Sequence, residues 1–372
     1  ANLSNVTGSY YYLFVGAKLE EINVTNATFI GDMSPFHSCS YLKTIIGLDT
    51  VDTSQVTSFD NCFRECALLE TIDCSSFDTS NATLMNGMFW CQSRTSTTKQ
   101  IIGVENFDTS KVTNMTSVFR GQAELTSLDL SKWKTNNVTT MNGIFWNCKK
   151  LTSLNLTGWN TSKVTDFSNF FYDCNAFEDF SCLDELDMSA GTSFANMFNN
   201  CKKLTYPPIT TFGSASKPTT NFGYGSMYQG SGINADGVIF RVVGACDLYR
   251  VFCSCNNLGD DFEFVWETDQ TVSVQGLFCD IKMNINPITK LKTFNLTSCG
   301  STIFTSYFFG GVGSTINTTV TDFECTGVQS VSLDLTAMRG LNKQSVMNII
   351  NCLCETSSTL TLKLYNTQKA LL

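Results

Sequence analysis

Two stretches, Asn114 to Trp133 and Thr140 to Trp159, are near copies of each other. In the first, Met115, Val118, Phe119 and Gln122 precede Leu125, Leu128, Leu130 and Trp133. In the second the same slots hold Met141, Ile144, Phe145, Cys148, Leu151, Leu154, Leu156 and Trp159, an offset of 26 residues. A fixed period in this range predicts a stack of supersecondary units that share one continuous core, because no single unit can bury its own apolar face. The aromatic anchor recurs at Phe14, Phe36, Phe63, Phe89, Phe119, Phe145, Phe171, Phe198, Phe252 and Phe278.

Within each unit the apolar spacing changes. Met141, Ile144, Phe145 and Cys148 fall at i, i+3, i+4 and i+7, which predicts one face of a short helix. Leu151-x-x-Leu154-x-Leu156 predicts a strand whose leucines point inward. The residue ahead of each stripe is one that accepts an orphan N–H, for example Ser58, Asn114, Thr140, Asp166, Ser193, Asp247 and Ser273, so these read as helix N-caps. Asp52-Thr-Ser, Asp78-Thr-Ser, Asp108-Thr-Ser and Asn160-Thr-Ser then read as polar turns that bond their own backbone. Strands about 4.8 Å apart beside helices about 8 to 10 Å apart predict a curved array with its sheet on the concave side.

The run Phe107-Asp-Thr-Ser-Lys-Val-Thr-Asn-Met115, followed by Phe145-Trp-Asn-Cys-Lys-Lys-Leu-Thr-Ser-Leu154, resembles the BspA-like leucine-rich-repeat proteins found on the surfaces of bacteria and some protists and in phages of gut bacteria. The motif is specific from about Phe36 to Leu204. The resemblance implies a right-handed α/β leucine-rich-repeat solenoid, a parallel sheet with short helices opposite, used for binding rather than chemistry.

The expected organisation is regular repeats over 1–204, an irregular Gly/Pro/aromatic loop insertion over 205–237, diverged repeats over 238–335 and a helix-strand cap over 336–372. In the cap, Asn342 heads a stripe of Val346, Ile349, Ile350 and Leu353, and Leu360, Leu362 and Leu364 alternate as a last strand.

Composition narrows function more than fold. With 33 acidic against 24 basic residues and a net charge of −9, the chain lacks the basic footprint of a nucleic-acid binder. No run of about 18 apolar residues predicts a membrane span, and the opening Ala1-Asn-Leu-Ser predicts that any signal peptide is absent or removed. The 17 cysteines are odd in number. Cys39, Cys66, Cys148, Cys174, Cys201 and Cys255 each follow the anchor phenylalanine by three, so they read as reduced thiols packed in a core ladder.

Candidate chemistry is sparse. The single histidine, His37, occupies a slot that other copies fill with Arg64, Trp90, Arg120, Trp146, Tyr172 and Asn199, which argues against a fixed catalytic role. Cys253/Cys255 and Cys352/Cys354 lack the second pair that a zinc site needs, and no phosphate loop or calcium loop is present. No metal or cofactor is expected. Sequons such as Asn81-Ala-Thr, Asn114-Met-Thr and Asn137-Val-Thr arise from the repeat itself.

Two binding surfaces are predicted. One is the row Trp90, Arg120, Trp146 and Tyr172, made of the residue types that dominate interface energetics, joined by the loop aromatics Phe222, Tyr224 and Tyr228. The other is a polar strip on the strands, Thr126, Ser127, Asp129, Thr152, Ser153 and Asn155. The expected function is a non-enzymatic recognition module on the outer surface of a cell envelope or virion, with a protein or glycan receptor as partner. The alternatives are a structural virion or appendage component contacting neighbouring subunits and, more remotely, a glycan-cleaving enzyme.

Overall fold

A computed structural model describes residues 1–258, except 93, 94, 218, 219 and 256, and beyond them 262–268, 272, 273, 277, 290–295, 322–326, 333, 334, 343, 346, 347, 362 and 363. The chain divides into two compact units, Ala1–Gly191 and Thr192–Leu372.

The first unit is a parallel β-solenoid. On one side Thr7–Gly8, Thr28–Asp32 and Asp52–Ser58 pair in parallel. The ladder then continues as single-residue parallel bridges through Ser58, Leu84, Asn114, Thr140 and Asp166. On another side three parallel pairs form: Glu21–Asn23 with Thr44–Ile46, Thr71–Asp73 with Gln100–Ile102, and Ser127–Asp129 with Ser153–Asn155. The residues expected to cap helices therefore lie in a bridge column instead.

Among the described residues the helices expected within the repeats do not form, and the α/β leucine-rich-repeat assignment is corrected to a β-solenoid. Among the described residues the helical elements are three 3₁₀ turns, Leu48–Thr50, Val104–Asn106 and Ser181–Leu183, plus helical backbone at Lys343, Val346 and Met347. The rest of the expected C-terminal helix lies outside the described residues, whereas Leu362–Lys363 is a strand paired in parallel with Leu333–Asp334.

Among the described residues the supposed repeat helices are runs of tight turns. In the Met141 coil, Ile144 N–H bonds Met141 O at 3.2 Å, Trp146 N–H bonds Gly143 O at 3.1 Å, and Cys148 N–H bonds Phe145 O at 3.2 Å. The alternate donors reach the next coil: Met141, Gly143, Phe145 and Asn147 N–H bond the carbonyls of Asp166, Ser168, Phe170 and Tyr172 at 2.6 to 3.1 Å. Gly143 and Asn147 have φ of 60° and 64°. Positive φ at the third residue is what a type II turn requires, and an L-residue helix cannot continue through it. Equivalent pairs recur at Asn61/Glu65, Ser117/Gly121, Asn169/Asp173 and Asn196/Asn200. Gly121 is obligatory on a second ground, because a Cβ there would fall 1.5 Å from the Cys91 carbonyl oxygen.

A four-residue turn returns side chains inward at nearly the same spacing as a helix, so Met141, Ile144, Phe145 and Cys148 are all buried although no helix exists. Because the turns are hydrogen-bonded from coil to coil as the strands are, both sides share one spacing. The reason for the expected curvature disappears.

Two aromatic spines fill this unit. Phe36, Phe63, Phe89, Phe119, Phe145 and Phe171 stack in sequence with ring centroids 5.3 to 5.9 Å apart. Phe77, Phe107, Trp133 and Trp159 form the second at 6.2 to 6.3 Å. Beside the first, the thiols of Cys39, Cys66, Cys148 and Cys174 donate to the carbonyls of Phe14, Phe36, Phe119 and Phe145 at 3.0 to 3.4 Å. Burial pushes Cys148 up to about 12 and Cys39 up to about 11, so both stay protonated and inert at neutral pH.

The polar turns also split their labour. Asp52, Asp78, Asp108 and Asn160 accept their own backbone N–H two residues on, as expected. The following threonines are buried and bond the next coil: Thr53, Thr79, Thr109, Thr135 and Thr161 donate to the carbonyls of Asp78, Asp108, Lys134, Asn160 and Asp187 at 2.9 to 3.2 Å.

The second unit is built on the same plan. Thr211–Phe212, Ile239–Val242, Glu263–Trp266, Lys290–Asn295 and Asp322–Thr326 make a five-stranded parallel sheet, and Phe222–Gly223, Cys246–Asp247 and Val272–Ser273 a three-stranded one. The segment expected as an irregular loop thus supplies a strand to each sheet. Among the described residues eleven cysteines are not disulfide-bonded, and these include every member of the expected ladder, Cys39, Cys66, Cys148, Cys174, Cys201 and Cys255; Cys253, which lies outside the ladder, is disulfide-bonded.

Candidate functional site

The slot after each anchor phenylalanine lies outside the spine. The phenylalanine before it faces inward while the slot itself is half-buried in the coils from Arg64 to Tyr172, and the stacking of coils brings successive side chains together. Arg64 Cζ lies 3.8 Å from the Trp90 ring centroid, Arg120 Cζ lies 4.7 Å from Trp90 and 3.4 Å from Trp146, and Trp146 meets Tyr172 at 5.0 Å. Trp90, Arg120, Trp146 and Tyr172 therefore form one continuous ridge, each partly buried. Arg64 extends it by one coil and was not among the sequence candidates, although its position in the same slot is the signal that finds it.

Toward the N-terminal end, Tyr11 stacks on Tyr12 at 4.0 Å and Tyr12 on His37 at 4.4 Å. Burial, then the Arg64 charge, lowers the His37 imidazole below its usual range, favouring the neutral ring. His37 Nδ1 and Trp90 Nε1 are buried without a hydrogen-bond partner.

The electrostatics of the ridge centre on Arg120. Burial, and next the charge on Arg64, hold its guanidinium below the usual arginine value, while Glu65 acts in the opposite sense. Arg64 donates to Asn61 Oδ1 at 3.4 Å. No hydrogen bond or ion pair to the Arg120 side chain occurs among the described residues, and its guanidinium lies against the rings of two indoles. Such cation–π contacts are worth about 0.5 to 2 kcal/mol each, depending on desolvation.

The other predicted aromatics are not at this surface. Phe222, Tyr224 and Tyr228 are buried. Tyr228 stands in the anchor slot, stacked between Phe198 at 5.5 Å and Phe252 at 5.7 Å, and Tyr224 stacks on Phe194 at 5.2 Å. Tyr224, Met227, Tyr228 and Ser231 repeat the i, i+3, i+4, i+7 stripe with tyrosine in place of phenylalanine, a match concealed by looking for phenylalanine alone.

On the strands, Thr126, Ser127, Asp129, Thr152, Ser153 and Asn155 are exposed, as the alternation predicts. Asp129 and Asn155 accept the backbone N–H of Ser131 and Thr157 at 3.1 Å, which explains single acidic groups there without chemistry. The Ser131 side chain, then its backbone N–H, keeps the Asp129 carboxyl below the usual range. Among the described residues no group of three or more His, Cys, Asp or Glu side chains is placed to hold a metal, and no helix is long and apolar enough to cross a membrane.

The family model described as "Mycoplasma protein of unknown function, DUF285" matches residues 8–99 and 91–212, more than half of the chain. The chain belongs to this family. Its membership replaces the resemblance to BspA-like leucine-rich repeats, and the description assigns no activity. No curated protein matches the sequence. Among solved structures, a plant peptide hormone receptor RGFR1 in complex with RGF2 is similar at 12% identity over 92% of this chain and 60% of that one, with a TM-score of 0.25. The chain thus spans less than two thirds of that structure, and a score this low supports no inference from it.

Proposed function

We propose that this family member is a non-enzymatic recognition module, displayed on the outer surface of a cell envelope or virion, that holds a protein or glycan receptor on the ridge from Arg64 to Tyr172. The observation that carries the reading is the ridge itself. Arginine, tryptophan and tyrosine are the residue types most often responsible for binding energy, and here they are ordered in advance by stacking. A side chain already fixed loses little further entropy on binding. The protonated thiols of Cys39 and Cys148 and the engagement of the Asp129 carboxylate by its own turn support the non-enzymatic part of the reading.

The test is to probe immobilised glycan and peptide arrays with the full chain, and with the Arg120→Gln/Trp146→Ala double variant. Loss of at least tenfold in the retained signal, with an unchanged melting profile, is the expected result. Identical binding by the two proteins overturns the assignment of the ridge.

A further inference from the structure

We infer that the ridge takes an acidic polypeptide segment, read by Arg64 and Arg120 as a pair of carboxylate clamps. This rests on the recognition reading above and names the partner chemistry.

The argument starts from which parts of the ridge remain available. Trp90 is covered by Arg64 from one neighbouring coil and by Arg120 from the other. Trp146 carries Arg120 over its ring at 3.4 Å and meets the Tyr172 ring, tilted by 45°, at 5.0 Å. A sugar ring binds tryptophan by laying its C–H groups on an open ring face, and here the Arg64 and Arg120 guanidinium groups already lie against the Trp90 and Trp146 rings. What points outward is the rim of the stack. Aromatic edges carry the positive part of the ring quadrupole, and a guanidinium stacked by its faces presents its N–H donors in its own plane. An anionic planar group meets both requirements, and a carboxylate matches the guanidinium fork bidentately.

Charge points the same way. The Arg120 guanidinium makes no hydrogen bond or ion pair among the described residues, lies partly buried, and feels the repulsion of Arg64 more strongly than the opposing attraction of Glu65. A bound carboxylate relieves that repulsion. The net charge of −9 means that the attraction is local rather than a property of the whole surface.

Geometry limits the partner. Arg64 and Arg120 sit two coils apart, and because their Cζ atoms lie 3.8 and 4.7 Å from the Trp90 ring centroid between them, the two guanidinium groups are about 8.5 Å apart at most. A polyproline II segment repeats every three residues and rises about 3.1 Å per residue, so acidic side chains at i and i+3 lie on one edge about 9.3 Å apart. A β-strand puts i and i+3 on opposite faces and fits less well. The segment that suits the ridge is therefore extended, with acids three residues apart.

The experiment titrates the full chain, followed by tryptophan fluorescence, with a blocked proline-rich peptide bearing glutamates at i and i+3. Parallel titrations use the same peptide with one glutamate changed to glutamine, one with glutamates at i and i+2, and polygalacturonate. The expected result is that the i, i+3 peptide binds about tenfold or more tightly than either relative. Arg64→Gln and Arg120→Gln should each erase that preference, and Arg120→Lys should restore it only in part, with melting profiles unchanged throughout. Equal binding of all three peptides, or indifference to both substitutions, overturns the clamp. Arg120-dependent binding of polygalacturonate without peptide binding overturns the polypeptide partner and leaves the recognition ridge standing. If the array signals are also insensitive to the ridge, the recognition reading itself fails.

Discussion

The coils around Phe145 and Tyr228 occupy the same place in their respective units and solve the same packing problem with different chemistry. Phe145 stacks between Phe119 and Phe171, and the slot three residues on holds the protonated thiol of Cys148. Tyr228 stacks between Phe198 and Phe252, but its hydroxyl donates to Ile209 O at 2.7 Å and accepts from Ile209 N–H at 2.9 Å, and Ser231 takes the thiol slot. Tyr224 likewise accepts from Gly213 N–H at 3.1 Å. The ring fixes the stack in both cases. The hydroxyl adds a tie to a stretch that departs from the repeat, which gives the Pro/Gly-rich segment a defined path.

Three measurements break or sharpen that contrast. The largest effect is expected from Phe145→Ala, which opens a cavity in the middle of a stacked spine and should cost about 3 to 5 kcal/mol in chemical unfolding. A loss under about 1 kcal/mol would mean that the spine is not continuous. Next is Tyr228→Phe, which keeps the ring and removes the tie. Leaving the Ile209 backbone groups unpaired should cost about 1 to 3 kcal/mol, and hydrogen exchange should quicken at Ile209 while the Phe145 coil is unaffected. Uniform exchange would show that the hydroxyl is incidental.

The smallest effect is a pH dependence. The folded Cys148 thiol is pushed up to about 12 by burial, whereas an unfolded one titrates near 8.5. The stabilisation it brings is complete below the unfolded value and is lost as pH rises toward the folded one. Between pH 8 and pH 9.5 the wild-type chain should therefore lose about 1.3 kcal/mol more than Cys148→Ser, the residue that the Tyr228 coil uses naturally. Equal slopes would assign alkaline sensitivity to other thiols.

Much of this was legible beforehand. The period, the anchor phenylalanines, the inward leucines and the adjacency of Trp90, Arg120, Trp146 and Tyr172 all follow from slot equivalence, because stacked copies place equal slots in register. Arg64 was equally available by that logic. Tyr224 and Tyr228 were misplaced on a loop because proline and glycine around them masked the stripe, and their hydroxyls suggested a surface. The helix assignment failed for a different reason. The stripe of Met141, Ile144, Phe145 and Cys148 is common to a helix and to tandem four-residue turns. The distinguishing signal was the Gly, Asn, Asp or Ser recurring two and six residues into it, at Gly143, Asn147, Asn169, Asp173, Asn196 and Asn200, where the backbone turns left-handed.

The sequence by itself determined that identical units stack, which side chains share the interior, and which large groups line up outside it, since all of these depend only on repetition and apolarity. The destination of the backbone hydrogen bonds was decided by tertiary structure alone. An N–H such as that of Phe145 can close a helix locally or reach Phe170 O in the next coil, and the second becomes available only once that coil is in place.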